Sequence, residues 1–211
     1  MLRDLEQSSN IVVNSNFVVS TFRLAGDLRE LKVLLPPIDS KFSMMLRNIQ
    51  VDTREGLIYF GLASARKGIS EFAEVVNLLP SSMPINIAGN WHPEVLGIRD
   101  SLSKKFNVHV HPHGDFEDLV KLLSSARYFL FLAKGEGSAR TVGEALHAGL
   151  IVLTTKNAGM SFVEGAIIDV SELSVVDISN LILELEKDDK SRRDFSEKAR
   201  KFIAQIGRAH V

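Results

Sequence analysis

One segment, residues 128–155, constrains the fold more than any other part of the chain. It reads as strand, glycine-rich loop, helix and second strand in immediate succession. Tyr128 to Leu132 predicts the first strand, and the β-branched apolar run from Leu150 to Thr155 predicts the second. The helix between them is expected to stop at Gly149. Two strands joined by a helix in this way pair in parallel through a right-handed crossover, so the segment indicates an α/β protein.

The same alternation extends through most of the chain. Near the start of the chain, a short apolar strand is predicted at 11–13 and another at 32–35, stopped by Pro36-Pro37. Further strands are predicted at 57–62, 85–88, 108–111 and 166–169, and further helices at 68–79, 94–106, 116–126, 175–187 and 190–204. We therefore expect a Rossmann-like parallel sheet with helices on both faces. Ligands bind beyond the carboxyl ends of the strands in such sheets, and the loops at those ends carry most of the candidate residues.

Composition limits the class of protein. The chain has 211 residues, 45% of them hydrophobic and 24% charged, which is enough for one sizeable globular domain. Its net charge of −1 argues against nucleic acid as a partner. The absence of cysteine excludes disulfides and fits the cytoplasmic location that we expect. We identify neither a signal-peptide pattern nor an apolar stretch long enough to span a bilayer.

Two glutamates, Glu136 and Glu144, flank the start of the predicted helix that ends at Gly149. Glu136 lies between Gly135 and Gly137 in the loop, and Glu144 lies in the first turns of the helix. A helix start offers free backbone N–H groups and a positive dipole end, both of which favour phosphate. Carboxylates beside it accept hydrogen bonds from sugar hydroxyls. Phosphate and sugar together predict a nucleotide-sugar as the ligand.

The sequence EGSARTVGEALHAGLIV, which begins at Glu136, resembles a known motif. Retaining glycosyltransferases with the GT-B fold, particularly glycosyltransferase family 4, often read EGxPRxxxEAxAxGxPV, with the two glutamates of the E-x(7)-E motif. FGLASARKGI also resembles the family pattern xGRLxxxKG, and IAGNW resembles IxGxG. The resemblance covers approximately residues 11–205. It implies the C-terminal, donor-binding half of a GT-B enzyme.

The resemblance implies roles for individual residues. Glu136, the catalytic candidate, would hold hydroxyls of the donor sugar, and Glu144 would hold those of the ribose. Backbone N–H groups of Thr141 and Val142 would meet the phosphates. Gly137 would allow a close backbone approach.

Other donor-binding candidates lie in the loops that follow the predicted strands. Lys67 aligns with the pyrophosphate-binding lysine of the family. Leu62 stands where the family has an arginine, and Arg66 is the candidate substitute. His113 and Gly114 would touch the nucleobase through backbone groups. Ser138 would support the turn of the loop at residues 134–140, here called the motif loop.

No metal site or cofactor is predicted besides the nucleotide-sugar, which is a substrate. His109, His111 and His113 alternate along a strand, but Pro112 interrupts the pattern before a metal-ligand set is complete. The pair Asp188-Asp189 is not a metal-binding DxD sequence. The implied reaction is metal-independent transfer of a sugar, with retention, to a glycan or lipid-linked acceptor.

The predicted organisation has three parts. Residues 1–40 are interpreted as a remnant of an N-terminal acceptor domain and linker, 41–205 as the donor-binding domain, and 206–211 as a non-native tail. The acceptor would bind through a missing N-terminal half, and peripheral membrane contact of the full-length protein is a further expectation. Two alternatives remain open. One is a GT-B sugar-nucleotide epimerase, and the other is a non-catalytic nucleotide-sugar-binding module, which Leu62 would favour.

Overall fold

The computed structural model describes residues 11–13, 16–24, 31–33, 38–47, 49, 54–159 and 165–206. Near the start of the chain, β1 (Ile11–Val13) pairs in parallel with β2 (Leu31–Val33), and α1 (Asn16–Leu24) lies between these two strands in the sequence. The predicted apolar strand at 11–13 is confirmed. The predicted stop at Pro36-Pro37 lies outside the described residues.

The main body is a parallel sheet of six strands, which confirms the predicted α/β architecture. The strands are β3 (Leu57–Phe60), β4 (Ile85–Ala88), β5 (Val108–His111), β6 (Tyr128–Phe131), β7 (Ile151–Thr154) and β8 (Ile167–Asp169). Their spatial order is β5-β4-β3-β6-β7-β8. Every residue of β3, β6 and β7 is buried, as expected for central strands that are covered on both faces.

The helices are α2 (Ser40–Arg47), α3 (Ile69–Leu78), α4 (Leu96–Leu102), α5 (Phe116–Ser125), α6 (Arg140–His147), α7 (Val175–Lys187) and α8 (Asp189–Ile206). Right-handed crossovers place α3 and α4 on one face of the sheet and α5 and α6 on the other, because the direction of winding reverses after β5. The remaining helices complete the two layers, with α7 against α3, and α2 and α8 against α6.

This reversal determines where a ligand can bind. The chain winds from β3 outward to β5, and then from β6 outward to β8 in the opposite direction. The connections after β3 and β6 therefore leave the sheet on opposite faces, and a crevice opens between the carboxyl ends of these two strands. Gly61 follows β3 at this crevice, and the loop leading to α6 follows β6.

Within the described residues, two predicted elements extend at least two residues beyond the observed ones at one end. The strand expected at 57–62 ends at Phe60, because Gly61 adopts φ +114, a conformation outside the extended region. The helix expected at 94–106 is a 3₁₀ turn, Pro93–Val95, followed by α4, which ends at Leu102. The buried side chain of Asn107 donates to the Met83 carbonyl at 2.8 Å, so the chain must already have turned toward β5 at this point.

Helix α2, residues 40–47, packs against the helices α5 and α6. Phe42 of α2 stacks on Phe116 of α5 with 4.8 Å between ring centroids, and Ser43 Oγ lies 3.1 Å from His147 Nε2 of α6. At the other end, Ile206 still belongs to α8, and residues 207–211 lie outside the described part. Across the described ranges, no helix combines the length and the hydropathy needed to cross a membrane.

Candidate functional site

A cleft of about 720 Å³ opens at the carboxyl end of the sheet. Its floor is formed where β3 and β4 end, its first wall by the loop from β5 into α5, and its second wall by the start of α6. The lining residues are Phe60, Gly61, Ala88, Gly89, His111, Pro112, His113, Gly114, Asp115, Phe116, Asp118, Leu119, Lys121, Leu122, Arg140, Thr141 and Glu144. The cleft thus lies at the switch point that the strand order defines.

Two glycines keep the floor of the cleft low. Gly89 adopts φ +124, and a Cβ atom at this position would lie 2.3 Å from the carbonyl oxygen of Gly61. A Cβ atom on Gly61 would lie 3.3 Å from Cγ2 of Thr141. Only glycine at position 89 allows these two backbone segments to approach so closely, and the absence of a side chain at Gly61 leaves room for that of Thr141. The sequence signal was a glycine directly after each of two strands, but no role was predicted for either residue.

The first turn of α6 lines the cleft. Arg140 and Thr141 are the first two helical residues, so their N–H groups have no intrahelical acceptor. The N–H of Val142 donates to the Ala139 carbonyl at 3.0 Å and is already satisfied within the turn. The buried Thr141 hydroxyl has no hydrogen-bond partner in the described part of the chain. Thr141 therefore combines an available N–H with an available hydroxyl at the cleft wall.

Glu144 lies one turn further along α6 and lines the same cleft. Burial raises the pKa of its carboxyl, and the positive charge of Arg140 partly offsets this effect. A carboxylate that is poorly hydrated and faces a cavity is ready to accept hydrogen bonds from ligand hydroxyls.

Replacing Glu144 with glutamine is expected to stabilise the protein at neutral pH. Because burial raises the folded-state pKa, ionised Glu144 costs stability above that pKa. The cost disappears below about pH 4, where the carboxyl is protonated in the folded and unfolded states alike. Glu144→Gln should therefore unfold at a higher temperature than the parent at pH 7, and the gain should shrink toward pH 4. Glu74→Gln, at an exposed position of α3, is the control. A Glu144→Gln variant less stable than the parent at pH 7 would contradict this reading.

Beside the cleft, Arg66 and Lys67 meet Glu136. The Glu136 carboxylate oxygen Oε1 lies 2.7 Å from Arg66 Nη1 and 3.6 Å from Lys67 Nζ. The side chain of Glu136 is only 14% exposed, so this ion cluster is partly shielded from water. These three predicted site residues are brought together, although none of them lines the cleft itself.

Backbone and side-chain bonds tie the two loops of this cluster together. The N–H of Lys134 donates to the Arg66 carbonyl at 2.9 Å, and Arg66 Nη1 donates to the Gly135 carbonyl at 2.7 Å. Lys134 Nζ also forms an ion pair of 2.7 Å with Glu71 of α3. The loop after β3 and the loop after β6 are thus held as one unit across the switch point.

Leu62 stands where the family pattern has an arginine, and the cluster contains Arg66 instead. The hydroxyl of buried Tyr59 donates to the Leu62 carbonyl at 3.2 Å, and burial together with the charge of Glu136 raises the pKa of Tyr59. The Leu62 side chain is 42% exposed and supplies no charge. Arg66, from four residues further along, is the arginine that reaches Glu136.

The motif loop rests on the loop that follows β7. The N–H groups of Glu136 and Ala139 donate to the carbonyls of Asn157 and Ala158 at 2.8 and 2.9 Å. Gly159 adopts φ +75, and a Cβ atom there would lie 2.3 Å from the Gly137 carbonyl oxygen. Sequence reasoning missed Gly159. Its only signal was a glycine shortly after the β7 strand.

Substituting Gly159 with alanine should destabilise the protein by about 1–2 kcal/mol or more, since the left-handed conformation alone costs this amount. The contact with Gly137 should also displace the motif loop and weaken ligand binding. Gly97→Ala is the matched control, because its Cβ would meet no atom within 4 Å. That change inside α4 should stabilise by roughly 0.5–1 kcal/mol. Denaturant unfolding of both variants distinguishes them, and equal stability would show that the loop contact is unimportant.

The remaining predicted residues occupy neighbouring positions. His113 and Gly114 line the cleft wall, where Gly114 packs against Asp118. Gly137 and Ser138 are half-buried in the motif loop. In the histidine series, His111 Nε2 lies 2.8 Å from Asn86 Oδ1, and burial lowers the pKa of His111. Within the described ranges, no group of three or more His, Cys, Asp or Glu side chains is arranged to hold a metal ion.

Fold and site together define a parallel α/β domain with a cleft at its topological switch point and, beside it, a cluster of two cations and one carboxylate in which Glu136 and Lys67 are largely shielded and Arg66 is exposed. The chain belongs to the glycosyl transferases group 1 family, whose model matches residues 47–202. No curated protein matches the chain.

Solved structures of glycosyltransferases share this fold. WaaG, a glycosyltransferase involved in lipopolysaccharide biosynthesis, is 19% identical with a TM-score of 0.70, over 92% of this chain and 58% of that one. Anabaena HepE in complex with UDP is 15% identical with a TM-score of 0.77, over 94% and 60%. Sucrose-phosphate synthase from Thermosynechococcus elongatus is 16% identical with a TM-score of 0.78, over 96% and 55%. The chain therefore spans less than two thirds of these proteins.

Proposed function

We propose that this chain is the donor-binding part of a retaining, metal-independent glycosyltransferase of family 4 type. The observation that carries the proposal is the arrangement of the two glutamates. Glu144 lines the cleft at the start of α6, while Glu136 contacts two cations beside that cleft. The motif spacing and the membership in the group 1 family support the same reading.

The chemistry of sugar transfer fits these positions. When the glycosidic bond to the nucleotide breaks, negative charge develops on the leaving diphosphate and must be stabilised. Arg66 and Lys67 would supply the positive charge in place of a metal ion, and the N–H and hydroxyl of Thr141 would donate to phosphate oxygens. Since the Val142 N–H is taken by Ala139, we assign the main backbone contact to Thr141.

The two glutamates would then divide the hydroxyl groups of the donor. Glu144 would accept hydrogen bonds from the ribose within the cleft, and Glu136 would accept them from the sugar that is transferred. The nucleobase would occupy the wall formed by His113 and Gly114. HepE has been solved with UDP-glucose, which makes uridine nucleotides the first donors to test. A glycan or lipid-linked molecule is the proposed acceptor class of the whole protein, and the cytoplasm its proposed location.

Calorimetric titration with UDP-, GDP- and ADP-sugars tests the proposed donor site. One nucleotide series should bind measurably, and binding should persist in excess EDTA because protein cations neutralise the diphosphate. Loss of binding in EDTA would refute metal independence. Failure of every nucleotide-sugar and every nucleoside diphosphate to bind would refute the donor site itself.

We further expect the 211-residue chain to bind the donor without transferring the sugar, because it spans about three fifths of the solved glycosyltransferases. A transfer assay with a broad acceptor mixture should remain silent for this chain. Robust transfer would contradict the expectation. Retention is tested separately on an active, longer form of the protein, by determining the anomeric configuration of the first product by NMR.

A non-catalytic binding module is the competing function, and the uncharged Leu62 is the observation that favours it. The contact between Arg66 and Glu136 argues for the enzyme, since it provides the second cation from another position. If the longer form binds the donor tightly but neither transfers nor hydrolyses the sugar, the binding module is the better description.

A further inference from the structure

We propose that this domain has a second ligand site, at the end of the sheet opposite the cleft, which takes a phosphate-type oxyanion. The site is a pocket of about 280 Å³ at the amino ends of β6 and β7, here called the basal pocket. It is lined by Arg54, Arg127, Gly149, Ile151, Asp189, Arg192, Arg193 and Ser196. The proposal does not depend on the function proposed for the cleft.

Arg54 is the central observation. Its side chain lines the basal pocket, yet the residue is only 1% exposed. Nη2 donates to the Ala148 carbonyl at 2.7 Å, whereas Nε and Nη1 have no hydrogen-bond partner among the residues that the structure describes. No carboxylate in the described ranges forms an ion pair with it. A buried guanidinium with two unsatisfied donor groups is costly, and an anion beside it would remove that cost.

Capping of α6 does not account for these free donors. Arg54 does meet the C-terminal end of this helix, where cations are favourable, but the bond from Nη2 to Ala148 already serves that purpose. The next carbonyl, that of Gly149, accepts from Ser196 Oγ at 2.6 Å. Burial, and secondly the positive charge of nearby Arg200, lower the pKa of Arg54 to about 10. Arg54 remains a cation at neutral pH, and its neighbour adds positive charge rather than neutralising it.

Of the other arginines that line the basal pocket, two form ion pairs with carboxylates and one does not among the described residues. Arg127 Nη1 forms a two-oxygen contact with Glu186 at 2.7 and 2.8 Å. Arg192 pairs with Asp189, which is the acidic residue among the described residues that line the basal pocket. Arg193 is exposed, and its Nε donates to the Asp189 carbonyl at a long 3.4 Å.

Arg54 at the floor and Arg193 at the rim thus form a two-point site for an oxyanion. Guanidinium groups bind phosphate oxygens through paired N–H donors, and two of them converge well on a tetrahedral anion. The volume suits inorganic phosphate or the phosphate group of a small metabolite. These two sources share one chemistry and are separated by experiment.

The test uses the whole chain with the Lys67→Ala substitution, which removes a cation beside the cleft and is expected to reduce phosphate binding there. Thermal unfolding and calorimetric titration are followed with inorganic phosphate, with glucose 6-phosphate and with chloride at equal ionic strength. Phosphate should raise the unfolding temperature where chloride does not. Arg193→Gln should weaken phosphate binding about tenfold, the low end of the range for a lost charge-assisted bond. Arg99→Gln, an equal charge change on α4 remote from the basal pocket, should leave binding unchanged.

Arg54→Met should abolish the response to phosphate, and if this variant does not fold, Arg193→Gln against Arg99→Gln still decides the question. Tighter binding of glucose 6-phosphate than of phosphate would support the site and identify a phosphorylated metabolite as its ligand. Equal responses to phosphate and chloride would overturn the proposal. So would equal phosphate binding by the Arg193→Gln and Arg99→Gln variants.

Discussion

Replacing both Arg66 and Lys67 with alanine is expected to weaken nucleoside diphosphate binding by roughly 100- to 10,000-fold. Each cation would contribute a charge-assisted hydrogen bond worth about 1.5–3 kcal/mol, and together they would be the main charges that neutralise a diphosphate beside the cleft. Lys67→Ala alone should cost about 1.5–3 kcal/mol. The effect should be the same for the bare diphosphate and for the nucleotide-sugar, because both carry the same phosphates.

Lys134→Ala is the matched control for this experiment. Lys134 lies in the adjoining loop and pairs with Glu71, but it does not contact Glu136 among the ion pairs of the described residues. Removing it should change diphosphate affinity little. Circular dichroism must show that all variants are folded. If the double variant binds as the parent does, the diphosphate is held elsewhere and the cluster is only a structural link between two loops.

Glu136→Gln is expected to change the two ligands in opposite directions. In the empty site the Glu136 carboxylate neutralises Arg66 and Lys67, so an incoming diphosphate must compete with it for these cations. Glutamine removes the competing charge and should tighten binding of the bare diphosphate by about tenfold, equivalent to about 1.4 kcal/mol. The same change removes an acceptor for sugar hydroxyls. It should therefore reduce the additional affinity that the sugar provides.

The motif resemblance alone implied that Glu136 binds only the donor sugar, so that its substitution would leave binding of the bare diphosphate unchanged. Titrating UDP and a UDP-sugar into the parent, Glu136→Gln and Glu71→Gln variants measures both effects. Glu71→Gln breaks the neighbouring ion pair with Lys134 and should leave the preference between the two ligands unchanged. Weaker binding of bare diphosphate by Glu136→Gln would mean that Glu136 holds the two cations in place rather than competing for them.

The elements around the motif illustrate what local patterning can predict. The strand at 128–131, the helix ending before Gly149 and the strand at 151–154 follow from apolar periodicity and one positive-φ glycine, which act over a few residues. The prediction that a helix reaches residue 106 was wrong, because α4 ends at Leu102. The buried bond from Asn107 to the Met83 carbonyl joins residues that are distant in sequence and lie beside the paired strands β4 and β5, so no local pattern reveals it.

Local patterning along the chain was therefore sufficient for the α/β class, the parallel sheet and the candidate loops, because each of these follows from short-range periodicity and turn chemistry. The tertiary structure decided which loops meet. The strand order puts β3 beside β6, which brings Arg66 to Glu136 and lets Arg66 contribute the charge that Leu62 lacks. It also decided the close contact of Gly159 with the motif loop and the burial of Arg54 beneath α6. These contacts join residues far apart in the chain, and their geometry is set by sheet order and helix packing, which no local pattern encodes.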